Sequence, residues 1–300
     1  MKKILITGGS GFLGERIISL LLEKGYSVVV LDMRPPRMTH ERLRFVKVNL
    51  LGPLPQDQNF KQVHGVINLA GKRIFGRWNK ALKRLIYDTR VEGTKNLVSL
   101  FDHESFKPKV LVSASAVGFY GEQETDMVTE KTGPGATFLS MVARDWEHEA
   151  WKADEKGVRV CLMRNGHILD SAGGLLKVLL PFYRYGLGGP LGSGKQFFPW
   201  VSREDAARMY VEALENDTWS GPVNVVAPEQ ITNKAFSHTV ASTLRRPHIF
   251  HIPRFALALL FGEFAREMLV SQKVYPGKAF ERDFVYMHRS IGACVRDYLS

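Results

Sequence analysis

The sequence predicts an α/β fold in which a doubly wound parallel sheet is joined to a smaller, mostly helical C-terminal lobe. Two observations carry this prediction. Through the first half of the chain, short runs of β-branched residues alternate with amphipathic helical patterns, which is typical of a parallel sheet covered by helices. After Arg164 this alternation ends, and residues 171–200 are rich in glycine and proline before helical patterns return.

The strands are predicted where short β-branched runs lie between turn residues. The run KILIT opens the chain, SVVVLD follows Gly25, and later runs such as GVINL and KVLVS have the same character. In chain order, the predicted strands cover residues 3–7, 27–32, 43–48, 65–69, 109–113, 158–164 and 222–226.

The helices are predicted where apolar residues recur with helical spacing. Gly25 ends the first of them, and the pair Thr232 and Asn233 is a typical cap for a helix in the C-terminal part. In chain order, the predicted helices cover residues 12–24, 79–101, 138–156, 203–215 and 255–270, and a last helix ends near Leu299.

Length and composition limit the protein class. The chain has 300 residues, which is more than one typical domain, and its 45% hydrophobic and 24% charged residues exclude a disordered or fibrous protein. We assign residues 1–170 and about 200–228 to the sheet domain. Residues 171–199 and about 229–300 are assigned to the second lobe.

The cysteines and the apolar runs limit the location. Cys161 and Cys294 are too few for a disulfide framework and lack metal-ligand spacing, so we expect no metal site and a reducing, cytoplasmic compartment. The longest apolar run, residues 255–262, is far shorter than the roughly 20 residues needed to span a bilayer. We therefore expect no membrane partner.

The net charge of +11 raises the question of a nucleic-acid partner. The basic residues look scattered along the chain, with small clusters and no basic tail. A surface that attracts anionic small molecules explains the charge equally well. We expect a small-molecule ligand and no nucleic acid.

A glycine-rich turn follows the first strand and opens the first helix. In TGGSGFLG, Gly8 permits a tight turn, Gly11 lets the backbone approach a pyrophosphate, and Gly14 allows close packing of the helix. The N-terminus of the helix then offers free N–H groups to phosphate. The strand–turn–helix context predicts a dinucleotide site in the sheet domain.

Asp32 closes the second strand 18 residues after Gly14. A carboxylate there can accept hydrogen bonds from the adenosine ribose and repels a 2′-phosphate, which favours NAD. Arg34 could neutralise such a phosphate, so NADP stays open.

Further motifs extend through the rest of the chain. They are NLAG at 68–71, SAS at 113–115, VGFYG at 117–121, GGPLGSG at 188–194, QFFPW at 196–200 and SQKV at 271–274. Together with the glycine turn, the first two resemble the extended short-chain dehydrogenase/reductase superfamily. The others resemble its epimerase-family branch, which is similar to sugar-nucleotide epimerases and ends in a helical domain of unknown function.

The resemblance implies a Rossmann fold with NAD or NADP across the carboxyl ends of the strands. Asn49 and Leu50 would lie beside the adenine, and Gly166 and His167 near the nicotinamide. The full set of implied cofactor residues is Gly8, Gly11, Phe12, Leu13, Gly14, Asp32, Arg34, Asn49, Leu50, Leu69, Ala70, Gly71, Ser113, Gly166 and His167. The substrate would lie between the two lobes, where Gln196 and Trp200 are candidate contacts; Trp200 fits a core position equally well.

The superfamily's chemistry normally uses a serine, a tyrosine and a lysine. Ser115 matches the serine. On the helix predicted at 138–156, Leu139 stands where the tyrosine belongs and Ala143 where the lysine belongs, and neither side chain can move a proton. The usual Tyr–Lys pair is therefore missing.

Other side chains are candidates for the vacant roles. The phenol of Tyr120 could point into the cleft of Ser115, or could pack the cleft wall. Arg90 could stabilise charge in the cleft, or form a surface salt bridge. His167 could act as an acid, although a loop histidine is more often structural.

Two functions follow from these residues. The first is an NAD(P)-dependent epimerase or reductase that acts on an oxygenated substrate such as a nucleotide sugar. The second is an NAD(P)-binding regulatory protein without turnover that recruits a protein partner. Ser115, Tyr120 and Arg90 favour the first, and the missing pair favours the second; fold alone does not decide.

Overall fold

The computed structural model describes residues 2–55, 60–104 and 106–299. Its strands are β1 (Lys3–Thr7), β2 (Ser27–Asp32), β3 (Leu43–Lys47), β4 (Val63–Asn68), β5 (Val110–Ala116), β6 (Met127–Val128), β7 (Arg159–Asn165), β8 (His167–Asp170), β9 (Trp200–Ser202), β10 (Gly221–Val225) and β11 (Lys273–Val274). Its α-helices are α1 (Phe12–Glu23), α2 (Lys80–Ser99), α3 (Phe138–Trp151), α4 (Gly174–Arg184), α5 (Arg203–Glu215), α6 (Asn233–Thr243), α7 (Arg254–Phe261), α8 (Phe264–Glu267), α9 (Gly277–Glu281) and α10 (Ile291–Leu299).

Seven strands form one parallel sheet in the order β10-β7-β5-β4-β1-β2-β3. The order reverses at β1, where Thr7 lies opposite Leu31 of β2 on one side and Asn68 of β4 on the other. In a doubly wound sheet the ligand crevice opens at the carboxyl ends of the strands at such a reversal. The predicted doubly wound fold is confirmed, and β1 and β4 mark where a ligand site is expected.

The central strands are buried on both faces. On β1, Ile4 and Ile6 pack with residues of α1 and α5, whereas Leu5 packs on the opposite face with residues such as Leu97 of α2. A strand covered on both sides carries a continuous apolar run, which explains why β1 does not alternate.

The predicted elements differ from the observed ones mainly in the C-terminal part. The helix predicted at 255–270 is broken, because Gly262 has a φ of 58° that ends α7 before α8 begins. The helix predicted at 138–156 ends at Trp151. The strands β6, β8, β9 and β11 were not predicted, since runs of two to four residues carry little periodicity.

The C-terminal part is mostly helical, as predicted, and has its own core. Leu176 of α4, Trp200 of β9, Phe236 of α6 and Cys294 of α10 belong to one buried cluster. A two-stranded parallel pair links this part to the first half of the chain, with Lys273 of β11 opposite a residue of β6.

Two further features bear on the class of protein. None of the helices in the described ranges is long and apolar enough to cross a membrane. Cys161 and Cys294 are free and buried, and burial raises the pKa of the Cys161 thiol to about 11. A thiol with so high a pKa is a poor nucleophile at neutral pH.

Candidate functional site

A cleft of about 400 Å³ opens at the carboxyl ends of β1 and β2. Most of the residues that the resemblance assigned to the cofactor lie around it. The lining includes Gly8, Gly11, Asp32, Arg34, Asn49, Leu50, Leu69, Ala70 and Gly71, together with Ser10, Met33, Lys72 and Thr89.

The glycine turn is shaped by close backbone approaches. Gly8 has a φ of 66°, and a Cβ on it would lie 2.8 Å from the backbone nitrogen of Ala70. A Cβ on Gly14 would lie 2.6 Å from the carbonyl oxygen of Gly9. A side chain at either position would displace backbone, so the turn requires glycine there. Gly11 precedes α1 without a side-chain cap, which leaves the first N–H groups of the helix available to an anion.

Asp32 is held in place by the same turn. Its Oδ2 accepts a hydrogen bond from the backbone N–H of Ser10 at 3.1 Å, and its Oδ1 accepts one from the N–H of Met33 at 2.7 Å. Arg34 is exposed beside it, and no described carboxylate forms an ion pair with its guanidinium. The cleft thus presents a fixed carboxylate and an unpaired cation close together.

A second cleft of about 220 Å³ adjoins the first, and Leu69 lines both. Its wall is mainly apolar. Ser115, Arg90 and Asn165 supply the polar groups, and the remaining lining residues are Leu13, Leu69, Ile74, Ala114, Ala116, Leu139, Val142, Ala143 and Trp146. Leu139 and Ala143 of α3 therefore stand in the same cleft as Ser115.

Ser115 leads into a chain of buried hydrogen bonds behind the cleft. Its hydroxyl donates to Oε1 of Glu147 at 2.6 Å. Both oxygens of that carboxylate also accept hydrogen bonds from Arg164, each at 2.8 Å. Ser115 and Arg164 are register partners on β5 and β7, and α3 carries Glu147 over them. Nothing in the local patterns predicted this pair, although charged residues inside the apolar runs of β7 and α3 are a signal for it.

Tyr120 lies at the far end of this hydrogen-bond network and not in the cleft. Its hydroxyl accepts a hydrogen bond from Arg164 at 2.9 Å and donates one to Oδ1 of Asn224 at 2.6 Å. The side chain is fully buried, and desolvation raises the pKa of Tyr120 to about 12. The expected placement of this phenol in the cleft of Ser115 is wrong, because Asn224 on β10 holds it inside the protein.

Arg90 of α2 does face the second cleft. Its Nη1 donates to the carbonyls of Lys72 at 2.9 Å and Ile86 at 3.1 Å, and its guanidinium carbon lies 5.3 Å from the ring centroid of Trp146. Desolvation lowers the pKa of Arg90 to about 10, which leaves the side chain charged at neutral pH. Among the described residues it has no carboxylate partner, so the alternative of a surface salt bridge is not observed.

Asn165 is a third polar group that the sequence did not single out. Its Nδ2 donates to the carbonyl of Ser115 at 3.1 Å and to the hydroxyl of Tyr210 at 2.8 Å, which fixes the orientation of the amide. Its Oδ1 is buried and has no hydrogen-bond partner within the described residues. An unpartnered buried acceptor beside a cleft is the kind of group that a ligand satisfies.

The other candidate residues lie outside the linings of both clefts. Ser113 is fully buried and accepts a hydrogen bond from Asn68 at 3.2 Å. The exposed ring of His167 stacks on Phe198 with centroids 4.3 Å apart. Phe12 packs toward the C-terminal part, since a Cβ on Gly173 would lie 2.2 Å from its ring. Gly14 and Gly166 act through backbone packing.

The two candidate substrate contacts are buried in the C-terminal part. The Nε2 of Gln196 donates to the carbonyl of Leu191 at 2.9 Å. Trp200 is fully buried, and its indole N–H donates to the carbonyl of Glu229 at 3.2 Å. Trp200 thus occupies a core position, which was the alternative to a substrate contact.

Comparison with known proteins agrees with this architecture. Residues 4–227 match the model of the NAD dependent epimerase/dehydratase family, and residues 252–298 match a domain of unknown function, DUF1731. The epimerase family protein YfhF of Bacillus subtilis is 35% identical over 96% of this chain and 95% of its own length. The chloroplastic homologue of epimerase family protein SDR39U1 in Arabidopsis thaliana is also 35% identical, over 98% of this chain and 85% of its own.

A solved structure of human epimerase family protein SDR39U1 with NADPH superimposes with a TM-score of 0.85 at 28% identity, covering 99% of this chain and 98% of that one. A nucleoside-diphosphate sugar epimerase from Corynebacterium glutamicum gives a TM-score of 0.80 at 28% identity, over 99% of this chain and 58% of that one. The resemblance drawn from the motifs is confirmed, and the chain belongs to the NAD dependent epimerase/dehydratase family.

Proposed function

We propose that the protein is an NAD(P)-dependent oxidoreductase of the extended short-chain type that acts on a hydroxyl group of an oxygenated substrate. The observation that carries the proposal is the hydrogen bond from Ser115 to Glu147 at the end of the second cleft, which directly adjoins the first. Ser115 is hydrogen-bonded to the buried carboxylate of Glu147 and can take part in a reaction. The α3 residues of the same cleft, Leu139 and Ala143, are apolar and cannot.

The first cleft suits the dinucleotide. Gly8 and Gly11 would approach the pyrophosphate, Asp32 or Arg34 would contact the adenosine ribose, and Asn49 and Leu50 would flank the adenine. When bound, the nicotinamide supplies the ability to accept or release a hydride.

We expect Asp32 to determine which of the two cofactors binds more tightly. A charge-assisted hydrogen bond to the ribose is worth about 1.5–3 kcal/mol, so NADH should bind about ten- to a hundredfold more tightly than NADPH. Fluorescence titration of both reduced cofactors measures the ratio. The human relative was solved with NADPH. A preference for NADPH that disappears in Arg34→Ala would contradict the expectation and make Arg34 the selecting residue.

The polarity of Ser115 indicates which substrate group it meets. Because its proton is donated to Glu147, the lone pairs of its oxygen are the part left for a ligand. The Oδ1 of Asn165 is likewise an acceptor. Two acceptors match a hydrogen-bond donor, such as a sugar hydroxyl, better than a carbonyl oxygen.

The same hydrogen bond offers a route for the proton. As a substrate hydroxyl gives its proton to Oγ of Ser115, the proton of Ser115 passes to Oε1 of Glu147. The net change moves one proton from the substrate oxygen to the carboxylate. Protonation of Glu147 would also disrupt its buried ion pair with Arg164, which makes this transfer costly. We therefore expect slow turnover.

Arg90 fits the role of an anchor. A guanidinium that remains charged cannot shuttle protons, but it can hold a phosphate or carboxylate and stabilise a developing oxyanion. Its position in the lining of the second cleft suits a nucleotide sugar, whose diphosphate is anionic.

The regulatory alternative keeps one specific observation in its favour. Leu139 and Ala143 give the second cleft an apolar wall where the superfamily carries its Tyr–Lys pair. A protein that binds the cofactor without turnover would need no proton relay.

An absorbance experiment separates the two functions. The protein is mixed with excess NAD⁺ or NADP⁺ and UDP-glucose as the probe, and the absorbance of reduced nicotinamide is followed. We expect a slow rise that Ser115→Ala and Glu147→Gln each lower by about a hundredfold, while Arg90→Ala weakens UDP-glucose binding. Arg84→Ala, at an exposed ion pair on α2, is the matched control. A wild-type protein that binds cofactor and UDP-glucose but gives no rise favours the regulator.

A further inference from the structure

The net positive charge of the chain is concentrated in two segments. Residues 171–203 and 230–262 contain eight lysines and arginines and no aspartate or glutamate, so they carry most of the net charge of +11. Of these eight, Arg203 pairs with Asp170; none of the other seven has a carboxylate within ion-pair distance among the described residues. The basic residues themselves are scattered along the chain, and these two segments are positive because they lack acidic residues.

The two segments lie side by side. Leu191 and Ile252 form a parallel bridge, and the N–H of Ile252 donates to the carbonyl of Pro190 at 3.0 Å. Further along, a Cβ on Gly189 would lie 2.0 Å from the carbonyl oxygen of Phe250. The stretches around residues 189–192 and 250–252 therefore lie in one region of the C-terminal part.

Large apolar side chains are exposed in the same region. Helix α7 buries Leu257 but leaves Phe255, Leu259 and Leu260 between 63% and 74% exposed. Tyr185 and Ile249 are 82% and 79% exposed. We call the exposed apolar residues Tyr185, Leu187, Ile249, Phe250, Phe255, Leu259 and Leu260, with the neighbouring Arg184, Arg245, Arg246 and Arg254, the basic apolar face.

The charge and composition of this face indicate which kind of partner binds it: a second copy of the chain, a nucleic acid or a membrane. A second copy of the chain placed face to face would bring like charges together, and Glu263, the exposed carboxylate that follows α7, is already paired with Lys83. Nucleic acid would stack on aromatic rings but would gain little from the aliphatic side chains of α7. An anionic bilayer takes up both aliphatic and aromatic side chains at its interface and attracts unpaired lysine and arginine.

We propose that the basic apolar face binds the protein peripherally to membranes that contain anionic lipids. This proposal does not rest on the proposed enzymatic function. The expectation of no membrane partner came from the absence of a spanning run in the sequence, and an amphipathic surface contact needs no such run.

The test uses the full chain and sedimentation with vesicles of phosphatidylcholine alone or with about one-third phosphatidylserine. We expect association with the anionic vesicles only, and a marked loss of it when NaCl rises from about 0.1 M to 0.5 M. Phe255→Ser with Leu259→Ser should abolish association. Arg245→Gln with Arg246→Gln should weaken it about 25-fold, at about fivefold for each charge.

Matched controls come from other surfaces of the protein. Val285→Ser with Met287→Ser removes two exposed apolar side chains beside α5, and Arg84→Gln with Lys95→Gln removes two exposed charges of α2. Both controls should sediment like wild type. Circular dichroism and NADH titration verify that every variant is folded.

Three outcomes would overturn the proposal. The first is a failure of the expected vesicle binding, in which either the variant Phe255→Ser with Leu259→Ser sediments like wild type or wild type does not sediment with anionic vesicles. The second is a wild-type dimer, by sedimentation velocity, that the same variant makes monomeric. The third is binding of a single-stranded oligonucleotide that depends on the same residues while vesicles are not bound.

Discussion

Replacing Glu147 by leucine is expected to lower the free energy of unfolding by about 3–5 kcal/mol, the usual cost of leaving a buried charge without its partner. The guanidinium of Arg164 is buried and donates two hydrogen bonds to this carboxylate. Loss of the carboxylate also removes the acceptor of the Ser115 hydroxyl. Urea denaturation followed by circular dichroism measures the change.

Two further variants test the physical cause of this loss. Glu92→Leu on α2 removes an exposed carboxylate that lies 3.8 Å from Lys95, and it should cost less than about 0.5 kcal/mol. Glu147→Leu combined with Arg164→Met should recover much of the stability, because a buried ion pair replaced by apolar residues is often neutral. Costs that simply add in the double variant would contradict the role given to the pair.

Gly8→Ala is expected to weaken cofactor binding by about a hundredfold while the protein stays folded. The residue has a φ of 66°, and its Cβ would lie 2.8 Å from the backbone of Leu69 and Ala70. A left-handed backbone with an added Cβ costs about 1–3 kcal/mol. Relief of the clash would push residues 69–70 away from the turn and deform the first cleft. NADH titration measures the affinity.

Gly133→Ala provides the comparison, since a Cβ there would meet nothing within 4 Å. It should bind NADH like wild type. If Gly8→Ala also bound NADH normally, the close approach of this turn to residues 69–70 would have no part in shaping the cofactor cleft.

The sequence predicted best those features that depend on neighbouring residues. The first strand, the glycine turn and Asp32 follow one another within 32 residues, and the structure places Gly8, Gly11 and Asp32 around one cleft. The change from strand to helical periodicity is a local property of the sequence. The alternation of strands and helices could therefore be predicted from it.

Features that depend on distant residues could not be predicted. Tyr120 follows Ser115 closely in the chain, yet Asn224, 104 residues further on, determines where its hydroxyl points. The register of β7 against β5 places Arg164 beside Ser115, and Glu147 of α3 accepts hydrogen bonds from both. The basic apolar face likewise forms from two segments that become neighbours only in the folded chain.

The path of the chain through the sheet makes it difficult to divide the protein into autonomous pieces. The edge strand β10 pairs with β7, although α4 of the C-terminal part lies between these two strands in the sequence. The core of that part then combines Leu176, before β10, with Phe236 and Cys294, after it. A fragment that stops after β7 lacks its edge strand, and one that stops after β10 exposes half of a core. Each part therefore needs contacts between segments that are distant in the chain, and contacts of this kind are expected to slow folding.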